Sequence, residues 1–155
     1  MPYVKLTYGE AVSSSEVGRT RQLEAILQGL KDNHGCKIKD NWEFSIQSAG
    51  SECAAAKFLK MYWNSGVNTF KDPDIDPDIQ VRWIRYYSDR LIIRKDDNPE
   101  EFFILVFGRI PNFKIIGWIK GKDGMQEKWY TTFEEGREKA YFVPQRELHP
   151  FPIIR

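Results

Sequence analysis

The segment Lys71-Asp-Pro-Asp-Ile-Asp-Pro-Asp78 divides the chain and constrains its fold more than any other feature. Its two prolines lack a backbone donor and push the residues before them away from the helical region. No regular helix or strand can run through it, so it must be a loop. On its N-terminal side the sequence favours helices; on its C-terminal side it favours strands. That order predicts an α+β fold, with N-terminal helices packed on a mixed, largely antiparallel β-sheet.

The strongest helix signal runs from Trp42 to Trp63. This stretch has no proline, and Cys53-Ala-Ala-Ala-Lys-Phe-Leu-Lys-Met-Tyr-Trp63 is rich in good helix formers. Asp40 and Glu43 have capping-box spacing. The alternation Trp42, Phe44, Ile46 also suits a short strand, but length and the alanine run favour helix. Asn64-Ser-Gly66 is the expected stop. Upstream, Leu23, Ile26, Leu27 and Leu30 recur on one helical face, Ser13 and Glu16 have capping-box spacing, and Asn33-His-Gly35 is the expected end. Tyr3–Tyr8 reads as a short strand or an extended arm.

Beyond the loop lie four strand-like runs: Ile79–Tyr87, Arg90–Lys95, Phe102–Gly108 and Phe113–Lys120. Turn-like breaks at Ser88-Asp89 and Arg109–Asn112 predict hairpins. After Gly124 the pattern is irregular, with one short strand expected at Ala140–Val143. Pro144, Pro150 and Pro152 argue against a long final helix.

A chain of 155 residues reads as one domain, with residues 1–40 an arm and helix, 41–145 the core and 146–155 a tail. Lys and Arg number 23 against 22 Asp and Glu, for a net charge of +1. Bulk-charge binding of nucleic acid is thereby excluded, and any such binding must come from a local patch. No apolar run approaches the ~18 residues that span a bilayer. The N-terminus lacks an apolar signal core, and two cysteines are too few for a disulfide scaffold, so a cytoplasmic protein is expected.

Charge is patterned locally. Residues 71–78 hold four Asp and one Lys, net −3, while 79–95 hold Arg82, Arg85, Arg90, Arg94 and Lys95 against Asp89, net +4. Carboxylates hold hard divalent cations and arginines hold phosphates, so the pattern suits phosphodiester chemistry. Trp83, Tyr86 and Tyr87 are interleaved with the arginines and can stack on bases. The plainer reading is a solvated turn beside a solvated hairpin face. Glu52 adds weight to the chemical reading. It sits mid-helix beside Ser48, Ala49, Ala55 and Ala56, a small and apolar setting where its charge needs compensation that a metal would supply; the plainer reading is that it points to solvent or pairs with an arginine. A zinc site from His34, Cys36, Cys53 and His149 lacks paired ligand spacing, and Cys53 reads as a small core residue.

Taken in order, Glu52-Cys-Ala-Ala-Ala-Lys-Phe-Leu59, Asp74-Ile-Asp76, Gln80-Val-Arg82, Leu91-Ile-Ile-Arg-Lys-Asp96, Gly117-Trp-Ile-Lys-Gly121 and Ala140-Tyr-Phe-Val-Pro144 resemble a group of small phage and prophage proteins with a PD-(D/E)XK-like nuclease motif. The resemblance covers roughly residues 42–145. It implies a restriction-endonuclease-like core, with Glu52, Asp74 and Gln80 as ligands of Mg²⁺ or Mn²⁺ and Glu52, Asp74, Gln80 and Arg82 as the catalytic set. Asp76 and Asp78 compete with Asp74 for its role. Gln80 stands where the family usually has an acid, and Arg82 where it usually has lysine. Gln80 would bind a cation more weakly than a carboxylate, and Arg82 stays protonated and cannot act as a base. Glu43 or Asp96 could complete the ligand shell. Arg82, Arg85, Arg90, Arg94 and Lys95 are the expected contacts to DNA. DNA is the expected partner, with a homodimer left open. The alternatives are a nucleic-acid-binding module without catalysis and a protein-interaction module.

Overall fold

The computed structural model describes residues 1–29, 41–67 and 72–155. Its elements are β1 (Tyr3–Lys5), α1 (Tyr8–Leu27), α2 (Asn41–Leu59), β2 (Ile79–Ile84), β3 (Leu91–Ile93), β4 (Phe102–Arg109), β5 (Asn112–Lys120), a single turn α3 (Gly121–Gly124), β6 (Tyr130–Thr131) and β7 (Ala140–Val143), with short 3₁₀ turns at Glu127–Trp129 and Gln145–Glu147. The class is α+β, with helices on mixed sheets.

Helix α1 begins earlier than its sequence suggests. Thr7, not Ser13, is the N-cap, and its hydroxyl accepts from the Glu10 amide while Glu10 Oε1 accepts from the Thr7 amide. Ser15 instead donates its hydroxyl back to the Ala11 carbonyl, 2.6 Å away, so the serine run lies inside the helix. Gly29, at φ +66°, follows the helix in the left-handed region that glycine favours. The expected stop at Asn33-His-Gly35 and the Asp40 cap lie outside the described residues. Helix α2 ends at Leu59, before Asn64-Ser-Gly66, because Lys60 turns left-handed at φ 56°.

The main sheet has the order β1-β5-β4-β2 and a smaller sheet the order β3-β7-β6. β4 and β5 form the expected hairpin, and β1 pairs with β5. The expected β2–β3 hairpin does not form. β2 lies parallel to β4, and β3 pairs with β7 in the second sheet. The physical reason is the run Phe102–Phe107, which is apolar on both faces and takes a central place, flanked by β2 and β5. Parallel pairing of β2 with β4 needs a long crossover, and residues 85–101, with β3 among them, supply it.

Alternation along β2 separates two cores. Ile79, Val81 and Trp83 join Phe102, Ile104 and Val106 against Ala54, Ala55 and Ala56 of α2. Ile84 joins Phe103, Leu105 and the apolar residues of β3 and β7. The layers are therefore helices, four-stranded sheet and three-stranded sheet. Gly18 sets how closely the helices approach: a Cβ there would lie 2.4 Å from Ile46 Cα. One turn further along α1 is Arg21, and the tight crossing brings it to Glu52.

Candidate functional site

Glu52 lies on the face of α2 turned into the protein and is only 6% exposed. Arg21 grips it with two bonds, Nη1 to Oε2 at 2.7 Å and Nη2 to Oε1 at 2.8 Å. Trp63 Nε1 donates to Oε1 at 3.1 Å. The guanidinium is itself oriented by a bond from Nε to the Gly66 carbonyl at 2.7 Å. Burial alone would lower the Arg21 pKa, but the bonds and charge of Glu52 raise it, so the guanidinium stays charged. Of the two compensations expected for Glu52, the structure displays the arginine.

Asp74 sits beside this pair, at the edge of β2 that β4 leaves open. Its Oδ2 accepts from the Val81 amide at 2.7 Å. Around it the chain is pinned by Asn64, whose amide donates to the Asp74 carbonyl, and by two bonds between Ile75 and Ile79. Asp74 keeps some exposed surface, yet its carboxyl group is densely surrounded by protein. Desolvation, and then the nearby charge of Glu52, push its pKa up to about 8, against the opposing effects of the Val81 bond, Arg82 and Arg21.

Gln80 and Arg82 project from the opposite face of β2. Gln80 pairs in register with Phe103 and Arg82 with Leu105, on the side of the smaller sheet. The Gln80 amide donates to Glu101 Oε2 at 3.3 Å and to the Asp72 carbonyl at 3.2 Å. Arg82 donates to Asp97 Oδ2 at 2.8 Å and to the Ile92 carbonyl at 3.1 Å. The three-ligand set of Glu52, Asp74 and Gln80 thus divides across β2: two acids meet on one side and the amide turns to the other. This corrects the expected geometry. Successive side chains on a strand point to opposite faces, so the face that carries Val81 toward α2 carries Gln80 away from it.

The other candidates are dispersed. Asp76 is exposed, and Asp78 pairs with Arg155. Glu43 holds Arg85 at 2.9 Å and Arg109 at 3.1 Å, so it is committed elsewhere and does not complete a shell at Asp74. Asp96 is exposed in the turn after β3. Arg90 lies over the Phe133 ring, and Lys95 is 3.8 Å from Glu138. Arg94 offers its backbone amide to Asp97 at 2.7 Å. Because β2 and β3 belong to different sheets, these cations do not form the single basic ribbon expected from their sequence order. Cys53 is a half-buried free thiol whose pKa burial pushes up to about 11, which fits a packing role. His149 packs against Trp118, and His34 and Cys36 lie outside the described residues.

Two functional candidates escape sequence reasoning. Arg21 lies far from Glu52 in sequence and only the helix crossing joins them. Glu101 is buried, its pKa raised first by desolvation and eased by the Gln80 bond. It sits in the Glu-Glu pair before β4 with no local signal. Among the described residues, no three or more His, Cys, Asp and Glu side chains gather as a metal-binding group. No described helix is long and apolar enough to cross a membrane. Comparison with protein-family models, with curated proteins and with solved structures finds no match.

Proposed function

We propose that the chain is a metal-dependent nuclease of PD-(D/E)XK type that hydrolyses DNA phosphodiester bonds, with Glu52 and Asp74 as the ligands of Mg²⁺ or Mn²⁺. The observation that carries this reading is the convergence of two carboxyl groups from distant elements, one of which, desolvated by burial and set beside the charge of the other, has its pKa pushed up to about 8. Mg²⁺ commonly takes only one or two protein carboxylates and completes its shell with water and substrate phosphate, so the pair fits such an ion. Asp74 would offer Oδ1, since Oδ2 takes the Val81 bond, and Glu52 would exchange part of its contact with Arg21. When bound, the cation would lower the pKa of a water and offset charge on the phosphate.

The chain's own groups have separate tasks. Arg21 orients Glu52 through its two bonds. The Val81 amide aims Asp74. Gln80 acts as a positioning residue in place of a ligand, because its bond to the Asp72 carbonyl fastens the start of the loop that bears Asp74. Arg82 holds a cation close enough to Asp74 to lower its pKa, and its partly exposed guanidinium would receive a phosphate.

A second reading, a nucleic-acid-binding module without catalysis, is favoured by one observation: Glu52 already carries three donors. Incubation of purified protein with supercoiled plasmid in Mn²⁺ separates the two. The nuclease reading predicts nicking that Asp74→Asn and Glu52→Gln abolish, and a melting temperature raised by Mn²⁺ in the parent but not in Asp74→Asn. Nicking that survives both substitutions, or no nicking at all, rejects catalysis at this pair.

A further inference from the structure

The end of the main sheet away from Asp74 carries a groove that the nuclease chemistry does not use. Tyr3 on β1 pairs with Lys114 on β5, and Lys114 pairs with Phe107 on β4, so the three side chains form a row across one face. Tyr87, just beyond β2, stands edge-on to Phe107 at 5.4 Å between ring centroids. Together with Asn112 they border a cavity of about 150 Å³. A cavity of about that size holds one six-membered aromatic ring. The walls are solvent-facing: Tyr3 is 76% exposed and Tyr87 is 45% exposed. Lys114 Nζ lies 5.4 Å from the Tyr3 ring centre and 4.8 Å from that of Tyr87, and donates to the Tyr87 hydroxyl at 3.4 Å. Asn112 adds an amide at the rim. The lining holds one cation and no acid.

Each part selects a feature of the ligand. Two exposed tyrosine faces favour a flat ring, and an ammonium between them favours a negative charge next to that ring. An amide beside the cavity suits the polar edge of a heterocycle. A stacked base with its phosphate combines the three, and only an unpaired base offers its face. An apolar peptide would cover Lys114 without giving its ammonium a counter-charge.

We infer that the groove of Tyr3, Tyr87, Phe107 and Lys114 binds an unpaired nucleotide of single-stranded nucleic acid, with the base on the tyrosines and the phosphate on Lys114. This deepens the nuclease reading by naming the form of its substrate, and rests on that reading for the use made of the bound strand. The groove lies on the face of the main sheet that carries Phe103 and Phe107, opposite the face on which Glu52 and Asp74 meet, so a bound strand would reach Asp74 around the open edge of β2.

The test is fluorescence anisotropy of full-length protein with a labelled oligo(dT) and with a duplex of equal length, in EDTA so that no cleavage intervenes. The parent is expected to bind the single strand at least tenfold more tightly than the duplex. Tyr87→Ala and Tyr3→Ala should each weaken oligo(dT) binding about fivefold to a hundredfold, the range for loss of one stacking platform. Tyr87→Phe, which retains the ring, should bind within about twofold of the parent. Lys114→Gln should lower the magnitude of the salt slope by about 0.7, as one phosphate contact on a single strand is lost. Both tyrosines are exposed, and an unchanged thermal melt would verify that folding is intact. Oligo(dT) binding equal in the parent and both alanine variants overturns the inference, as does preference for duplex. A self-association lost in Tyr3→Ala, without any DNA binding, would instead assign the groove to a second copy of the chain and also overturn it. Asp74→Asn separates this result from the nuclease reading: if it binds oligo(dT) as the parent does, the groove stands whether or not plasmid is nicked. If plasmid is nicked equally by parent and Tyr3→Ala/Tyr87→Ala, the nuclease stands without the groove.

Discussion

The two faces of β2 treat charge in opposite ways. Toward α2, Arg21 bonds both oxygens of Glu52, and Asp74, desolvated and beside that carboxylate, has its pKa pushed up to about 8. Toward the smaller sheet, Arg82 meets Asp97 one to one, and Gln80 meets Glu101 as a neutral donor. Polar groups on both sides are bonded, and each side keeps one acid whose pKa burial raises, Asp74 toward α2 and Glu101 on the reverse. The difference is that Asp74 faces a second acid, Glu52, whereas Glu101 takes a bond from the neutral Gln80 amide. The lesson is that side-chain identity along Gln80-Val-Arg82 says less about chemistry than which face each residue occupies.

The largest test of the contrast is Glu52→Ala. It would leave Arg21 buried without its partner and destabilise the chain by about 3–5 kcal/mol in urea unfolding, as removal of one member of a buried pair does. A double variant, Arg21→Met/Glu52→Met, should recover most of that loss. If the single substitution costs under about 1 kcal/mol, the pair is not the isolated buried unit described.

Asp74→Asn comes next, and its sign depends on pH. Folded, Asp74 keeps its proton to about pH 8; unfolded, it loses it near 3.8. The folded state therefore binds more protons across that window, and parental stability should fall as pH rises from about 4 to about 8. The substituted amide cannot ionise, but its oxygen can still accept from the Val81 amide. The variant should gain in melting temperature over the parent above about pH 8 and differ least near about pH 4. A parent whose stability rises through that window, with no gain in the variant, would show that Asp74 is ionised and well compensated.

A smaller effect, about 1–3 kcal/mol, is expected for Gly18→Ala, since its methyl group would meet the Ile46 backbone and force the helices apart. Because the same crossing delivers Arg21, this variant should also weaken any Mn²⁺-induced rise in melting temperature. Arg82→Met should cost less than Glu52→Ala, about 1–2 kcal/mol, because the Arg82–Asp97 pair keeps about a quarter of its surface in water, more than Arg21–Glu52 does. A loss larger than that of Glu52→Ala would reverse the ranking of the two faces.

Much of the secondary structure is legible from local chemistry. The alanine-rich run is α2, the proline-bracketed acidic segment is a loop, and Ala140–Val143 is β7. Local reading fails where two signals compete. Thr7–Glu10 and Ser13–Glu16 carry the same capping pattern, and the helix takes the earlier one because the serines bond within it. The Ser88-Asp89 break marks a turn but does not say where the chain goes next. β2 finds β4, which lies beyond β3 in sequence, because only an apolar central strand can be flanked on both sides.

The sequence by itself determined the order of elements and pointed to Glu52 and to the aspartates of the proline-bracketed loop, without choosing among Asp74, Asp76 and Asp78, since a carboxylate amid alanines and aspartates among prolines are unusual wherever they stand. It also determined that Gln80 and Arg82 share a face, because strand alternation has a period of two. Tertiary structure alone decided that this face turns away from α2 and that Arg21 reaches Glu52. Such outcomes depend on strand pairing and helix crossing, where distant segments meet, and no local pattern of residues encodes which side of a strand the helix will cover.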